Sequence, residues 1–311
     1  MKKIAVSVGD LNGVGIEIAL EAHGEISKIC KPVYMINEVM LKRAAKLLNR
    51  KIPKDFKIVE CGGVFEIKPG KAKADSGAFS YASFLKGVKY VKKGKAHALV
   101  TLPVNKEAWK KASIPYRGHT EALKAIFGKN PVMMIGCDKL YGAFYTHHIP
   151  LKEVPKEIKV KKLKRFLIDF YKNIKESPIG VLALNPHAGD GGVMGDEERK
   201  IEKAIKKAND KLKEKIFIGP LVPDTAFTEK NRKFIKYFVC MYHDQGLSVI
   251  KALYFNESIN VSLNLPIIRT SVDHGTAFDI AYKKASPSTL SYINAVKEAV
   301  ALSDKRGEGF I

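Results

Sequence analysis

KVKKLKRFLIDFYKNIKESPIGVLALNPHAGDGG, Lys159–Gly192, decides the fold. Leu163, Phe166, Leu167, Phe170 and Ile174 recur at three- and four-residue steps, so the first half reads as a helix with an apolar stripe and a lysine face. Then the charge drops out. Residues 179–184, IGVLAL, form a short apolar run of the kind a strand buried on both faces requires. Asn185-Pro186 ends that run. The loop beyond it carries His187, a small residue, and three glycines in four positions around Asp190. A second amphipathic pattern, EERKIEKAIKKANDKLKEK, follows.

The same alternation extends outward in both directions. KIAVSV, VYMI, FKIVE, HALVTL, VMMIG, YGAFYT, FVCMY and INVSLNL read as strands. LKRAAKLLNR, YASFLKGVKYVKK and STLSYINAVKEAVAL read as helices. Strands alternating with longer helical patterns predict an α/β fold with a mainly parallel sheet. No internal repeat or low-complexity linker marks a domain boundary.

The chain has 311 residues and a net charge of +22, from 54 Lys+Arg against 32 Asp+Glu. Such a surplus raises nucleic acid as a partner. Only eight of the 54 are Arg, whose fork is what base edges and phosphates favour. The lysines fall on the polar faces of helices, without interleaved aromatics, so the surplus reads as a solvated surface that attracts anionic small molecules. No apolar stretch approaches a membrane span, and IAVSV near the start is too short for a secretory core. Cys30, Cys61, Cys137 and Cys240 form no CxxC pair and read as reduced thiols in a cytoplasmic protein.

Three of the eight histidines stand just past strands: His148 after YGAFYT, His187 after IGVLALNP, and His243 after FVCMY. Ligands of open α/β sheets sit at the carboxyl ends of the strands. Three imidazoles converging there can bind a divalent metal and leave positions open for substrate. A lone His after a strand is more often a turn residue, and the argument rests on the three together. Each is followed by loop chemistry: Pro150, Gly189 with Asp190, and Asp244 with Gly246.

Other residues could carry chemistry. In RGHTE, Thr120 is expected to cap the following helix, which leaves His119 at a helix N-terminus suited to an anion. Arg269 lies in an apolar run and, if buried, needs an anionic partner: a structural carboxylate or a substrate phosphate. Asp224 follows another apolar run and could be a base or a supporting carboxylate. Gly9–Glu17, GDLNGVGIE, invites a dinucleotide reading, but the third glycine of G-x-G-x-x-G is missing and no acidic residue nearer than Glu38 ends the second strand. It reads as a strand-to-helix turn that can line a site.

RGHTE, HHIPL, LNPHAGDGGVMGDEE and MYHDQGL with NLPIIRTSVDHGTAFDIA together resemble the 4-hydroxythreonine-4-phosphate dehydrogenase family of vitamin B6 synthesis. The likeness covers nearly the whole chain. It implies an isocitrate/isopropylmalate dehydrogenase-like fold of two α/β subdomains with a cleft, in a homodimer with a shared active site. The subdomains are expected at 1–116 plus 270–311, on the cofactor side, and 117–269, carrying metal, substrate and dimer interface. The resemblance implies a metal (Zn, Co or Mg) on His148, His187 and His243. It also implies substrate contacts from His119, Thr120, Lys251, Asn260 and Arg269, and catalytic roles for Asp224, Asp244 and Lys251. Asp273, His274, Gly275, Thr276 and Asp279 are similar to the loop that holds the adenine end of NAD or NADP. The implied reaction oxidises 4-phosphooxy-L-threonine at C3 to 2-amino-3-oxo-4-phosphooxybutanoate, which decarboxylates to 3-amino-2-oxopropyl phosphate. Two departures stand out: the family usually has Pro-Ala-Gly where this chain has Leu11-Asn12-Gly13, and a His where Asn105 stands. The alternatives are a dehydrogenase of a phosphorylated four-carbon sugar acid such as 4-phosphoerythronate and, more remotely, a phosphate acyltransferase or metal-dependent phosphohydrolase.

Overall fold

The computed structural model describes residues 1–283 and 287–307. The chain divides into two compact units: Met1–Pro131 with Ile259–Ile311, and Val132–Ser258. The first unit carries strands β1 (Lys3–Ser7), β2 (Lys31–Met35), β3 (Ile58–Val59) and β4 (Ala98–Thr101). The second carries β5 (Val132–Cys137), β6 (Leu140–Phe144), β7 (Ile179–Leu182), β8 (Phe217–Leu221) and β9 (Tyr237–Cys240). Two late strands, β10 (Ile259–Leu263) and β11 (Ile268–Val272), return to the first unit.

In the first unit the strand order is β3-β2-β1-β4-β11-β10. All of these pairs are parallel except the β10–β11 hairpin. In the second the order is β5-β6-β9-β7-β8, parallel apart from the β5–β6 hairpin. This is the mainly parallel α/β architecture that the alternation predicts. Most of its strands are apolar because helices cover the faces: every residue of β4, β5, β6, β7 and β9 is buried. Helix Val160–Ile174 buries Leu163, Leu167, Phe170 and Ile174, each worth about 1.5–3 kcal/mol of removal from water. Phe166 lies at the margin of that stripe, edge-on to Tyr145.

The breaks between units fall at 131/132 and 258/259, not at 116/117 and 269/270. Helix His119–Phe127 gives Ala122 and Leu123 to the first unit's core, beside Phe84 and Trp109. Strand β11 runs in register with β4, Arg269 opposite Leu99. His119, Thr120, Asn260 and Arg269 therefore belong to the first unit. The expected segment 270–311 includes residues 284–286 and 308–311, which lie outside the described residues.

Strands β8 and β11 and helix His243–Tyr254 are among the elements that escape the sequence pattern. Strand β8 contains Gly219-Pro220, which reads as a turn but is tolerated on an edge strand. Strand β11 buries Arg269, Thr270 and Ser271, polar residues that only side-chain hydrogen bonds make affordable. Helix His243–Tyr254 starts on the histidine itself. A Cβ on its Gly246 would come within 2.4 Å of Cys240 Sγ, so the glycine lets this helix lie close on β9.

Candidate active site

Three adjacent parallel strands of the second unit deliver the three histidines. β6 pairs with β9, and β9 with β7, all running the same way. His148 follows β6, His243 follows β9 and His187 follows β7. The strand order thus puts the three histidines just past neighbouring parallel strands. The rings of His148 and His243 lie 5.5 Å apart, and Phe144 packs on His243. His243 Nδ1 sits 2.7 Å from Asp244 Oδ1. A carboxylate can only accept, so Nδ1 donates and Nε2 keeps its lone pair, the arrangement of a carboxylate-oriented metal ligand.

The three imidazoles do not close into a single ligand cluster. Among the described residues, a set of three potential ligand atoms within 4.8 Å of one another is formed instead by Cys137, Asp138 and Glu257. Lys139 already neutralises Glu257 at 2.9 Å, and burial pushes the Cys137 thiol up, so this corner reads as structural. The donor chemistry of the histidine edge fits a divalent cation, with His148 beside His243 and His187 carried on its own exposed loop.

That loop is built for its shape. Residues His187 to Gly191 all adopt left-handed backbone, with φ of 52°, 53°, 78°, 43° and 66°. For His187, Ala188 and Asp190 this costs roughly 1–2 kcal/mol each. The support is Glu198, buried on helix Glu197–Leu212. Its Oε1 accepts from the backbone N–H of Leu184 at 2.9 Å and of Asn185 at 2.8 Å, and its Oε2 from Asn185 Nδ2 at 3.0 Å. A Cβ on Gly189 would meet that Oε2 at 2.6 Å. The sequence reading missed Glu198, which looks there like one more charge on an amphipathic helix. Asp224 lies exposed in the short helix Pro223–Ala226, which packs against this loop. Lys251, on the helix that His243 opens, donates to Ser258 Oγ at 3.1 Å and lies over the Phe255 ring.

The first unit holds a buried cation. Arg269 is 3% exposed. Its Nε and Nη2 donate to Thr101 Oγ1 at 3.1 and 2.8 Å. Nη1 donates to Ser262 Oγ at 3.0 Å and Asn260 Oδ1 at 3.3 Å, and Nη2 to His119 Nδ1 at 3.1 Å. These five hydrogen bonds end on four neutral side chains, and among the described residues no carboxylate lies within ion-pair distance. The structural-carboxylate reading of Arg269 is therefore set aside. Burial pushes the guanidinium down to about 9, still protonated at neutral pH. Since Arg269 occupies Nδ1, the His119 proton sits on Nε2, a buried donor with no partner. Burial, then the Arg269 charge, hold His119 well below its ordinary value, so it is neutral. Arg269 and the His119 Nε2–H thus offer a cation and a buried donor, a pairing that suits an anion.

Thr120 does not cap its helix. The helix begins one residue earlier, at His119, with Gly118 preceding it, and Thr120 lies half-buried in the first turn. Thr101 and Ser262 were missed by sequence reading; both look like ordinary strand positions until Arg269 is seen between them.

Gly9–Gly15 is no phosphate cradle. Leu11 to Val14 are fully buried, and four of the turn's N–H groups are taken: Asp10 on Pro103 O, Asn12 on Asp10 Oδ1, Gly13 on Asp10 O and Val14 on Thr276 O. Asp10 itself is buried between Asn12 and Ser76, and burial raises its carboxyl to about 6. In the loop after β11, His274, Gly275 and Asp279 are exposed, Asp273 is half-buried and Thr276 buried. A Cβ on Gly275 would meet nothing within 4 Å, so the loop presents open, polar chain to a ligand.

A family model described as pyridoxal phosphate biosynthetic protein PdxA matches residues 28–299. The chain belongs to the PdxA family. A 4-hydroxythreonine-4-phosphate dehydrogenase of Sulfurimonas denitrificans is 57% identical over 97% of this chain and 98% of that one. One from Campylobacter fetus is 56% identical over 98% and 99%. The solved 4-hydroxythreonine-4-phosphate dehydrogenase of Klebsiella pneumoniae superposes with a TM-score of 0.84 at 28% identity, over 97% of this chain and all of that one. The two departures from the usual PdxA sequence have local structural roles. Asn105 caps helix Lys106–Lys111, accepting from Ala108 N at 2.8 Å. Asn12 hydrogen-bonds Lys68 N and Lys71 O of a neighbouring segment. No helix among the described residues is long and apolar enough to cross a membrane.

Proposed function

We propose that this chain is a 4-hydroxythreonine-4-phosphate dehydrogenase: it oxidises 4-phosphooxy-L-threonine at C3, with NAD or NADP as oxidant and a divalent metal. The β-keto acid formed, 2-amino-3-oxo-4-phosphooxybutanoate, loses CO2 to give 3-amino-2-oxopropyl phosphate. The carrying observation is Arg269, a buried cation ringed by neutral partners, in a chain whose relatives bear that enzyme's name.

In this reading Arg269 and the Nε2–H of His119 hold an anionic group of the substrate. Charge-assisted hydrogen bonds in a dry pocket do this well. Asn260 orients the guanidinium, and Thr120 and Lys251 add further contacts. His148, His187 and His243 hold the metal, with Asp244 keeping the Nδ1 proton of His243. Asp224 and Lys251 are the candidates to exchange protons with the substrate. Asp273, His274, Gly275, Thr276 and Asp279 hold the adenosine end of the dinucleotide. When bound, the cation supplies Lewis acidity at the C3 oxygen and the nicotinamide supplies the two-electron acceptor. The reading includes a homodimer with a shared site, supported by the exposed Val193 and Met194 beside the His187 loop.

The test is NAD(P)H formation from 4-phosphooxy-L-threonine, with and without a chelator. Chelator-sensitive turnover is expected. Turnover of 4-phosphoerythronate alone would assign the chain to the sugar-acid dehydrogenases, and no reduced dinucleotide with either substrate would overturn the dehydrogenase reading.

A further inference from the structure

The buried Gly9–Gly15 turn is a junction. Asn12, fully buried, commits every polar group it has. Its backbone N–H donates to Asp10 Oδ1 at 2.9 Å, and its carbonyl accepts from Gly70 N at 2.8 Å. Its side-chain Oδ1 accepts from Lys68 N at 2.8 Å, while Nδ2 donates to Lys71 O at 2.7 Å. Asn12 thus pairs with the 68–71 segment as a strand would, using its amide in place of a second residue's backbone.

Both partners of that pairing also touch the 273–282 loop. Val14 N donates to Thr276 O at 3.1 Å, and a Cβ on Gly13 would lie 2.7 Å from that oxygen. Tyr282 Oη donates to Leu11 O at 2.7 Å. On the other side, a Cβ on Gly70, at φ 72°, would lie 2.8 Å from Phe278 O. The turn, the 68–71 segment and the loop are therefore closed on one another, with Asn12 in the middle.

We propose that Asn12 is a positioning residue for dinucleotide binding: it clamps the 68–71 segment to the turn and so fixes the 273–282 loop in its binding shape. This rests on the assignment of Asp273 to Asp279 to the dinucleotide. A loop with exposed polar residues loses conformational freedom when a ligand orders it; a loop already held loses less, and the saving appears as affinity. Asn12 touches no reacting atom, so its effect belongs in dinucleotide affinity and not in turnover at saturation.

The experiment uses three variants of the full chain. Asn12→Ala removes the side-chain pair, Gly70→Ala pushes on Phe278 O from the far side, and Tyr282→Phe deletes one hydroxyl with the ring kept. NAD binding is measured by titration calorimetry, and amide exchange of 273–282 by mass spectrometry. For Asn12→Ala we expect roughly tenfold weaker NAD binding, by the loss of about one net hydrogen bond's free energy. The KM for NAD should rise equally, with kcat and the KM for the phosphorylated substrate within about twofold, and exchange in 273–282 should quicken. Tyr282→Phe should move NAD binding the same way by less, and carries the test if the other two fail to fold. Unchanged exchange in 273–282 in folded Asn12→Ala or Tyr282→Phe would overturn the clamp. Faster exchange with NAD affinity unchanged, or with both KM values raised alike, would overturn its link to the dinucleotide. A parent chain that binds neither NAD nor NADP would instead remove the loop's assignment, leaving exchange to judge the clamp.

Discussion

The two units solve opposite problems. In the first, Arg269 is buried and its hydrogen bonds are filled by Thr101, Ser262, Asn260 and His119, all neutral side chains. In the second, His148 and His187 ride on loops beyond β6 and β7, and His243 starts a helix beyond β9, with no common ligand cluster closed. A buried cation must be fully held by the fold, since no water can substitute for a lost partner. Metal ligands need only be delivered to one edge, because a cation repays their final gathering with coordination energy. The first site is thus bound up with stability, whereas the second is nearly independent of it.

The sharpest way to break that contrast is at the histidines. His148→Ala, His187→Ala and His243→Ala should each cut turnover by about a thousandfold or more, the scale of a lost Lewis acid. Thermal unfolding of the apo-protein should barely move, since His187 is exposed and none of the three fills a core. A variant that keeps parental turnover and metal content removes that residue from the ligand set.

A second test probes the first unit by pH. The folded-state value of Asp10, about 6, lies above the ordinary 3.8. Between those two values the folded chain binds the extra proton, so this group's contribution to stability falls as pH rises from about 4 to 6 and is constant above. The drop is about 3 kcal/mol. Asp10→Asn, measured by urea unfolding at pH 4 and 6.5, should flatten that part of the profile, which ties the first unit's stability to one buried group. An unchanged slope in Asp10→Asn would mean that Asp10 is ionised without penalty.

The smallest expected effect tests the cation. Arg269→Lys keeps a charge but loses the fork that reaches four partners. The KM for the phosphorylated substrate should rise roughly 10- to 150-fold, the equivalent of about 1.5–3 kcal/mol, with the KM for the dinucleotide little changed. Unlike the histidine variants, it should also lower the melting temperature, because Thr101, Ser262 and His119 lose a partner in a dry pocket. A melting temperature equal to the parent's would erase the distinction between the two sites.

Much of this was legible in the sequence for physical reasons. Apolar runs such as Val132–Gly136 and Ile179–Leu182 can only be strands covered on both faces, and the lysine-faced stripe of Val160–Ile174 can only be a surface helix. Strand ends followed by His148, His187 and His243 placed candidate ligands at a sheet's carboxyl edge, since local periodicity marks where each strand stops. Tertiary structure alone decided the rest. That β6, β9 and β7 lie side by side is a matter of strand order, which no local pattern encodes. That Thr101 and Ser262 flank Arg269 depends on pairings across 168 and 7 positions of chain. Likewise Glu198 and Asn12 are indistinguishable in sequence from a helix charge and a turn residue. Their roles arise only when folding leaves Leu184 N, Asn185 N, Lys68 N and Lys71 O needing partners that they supply.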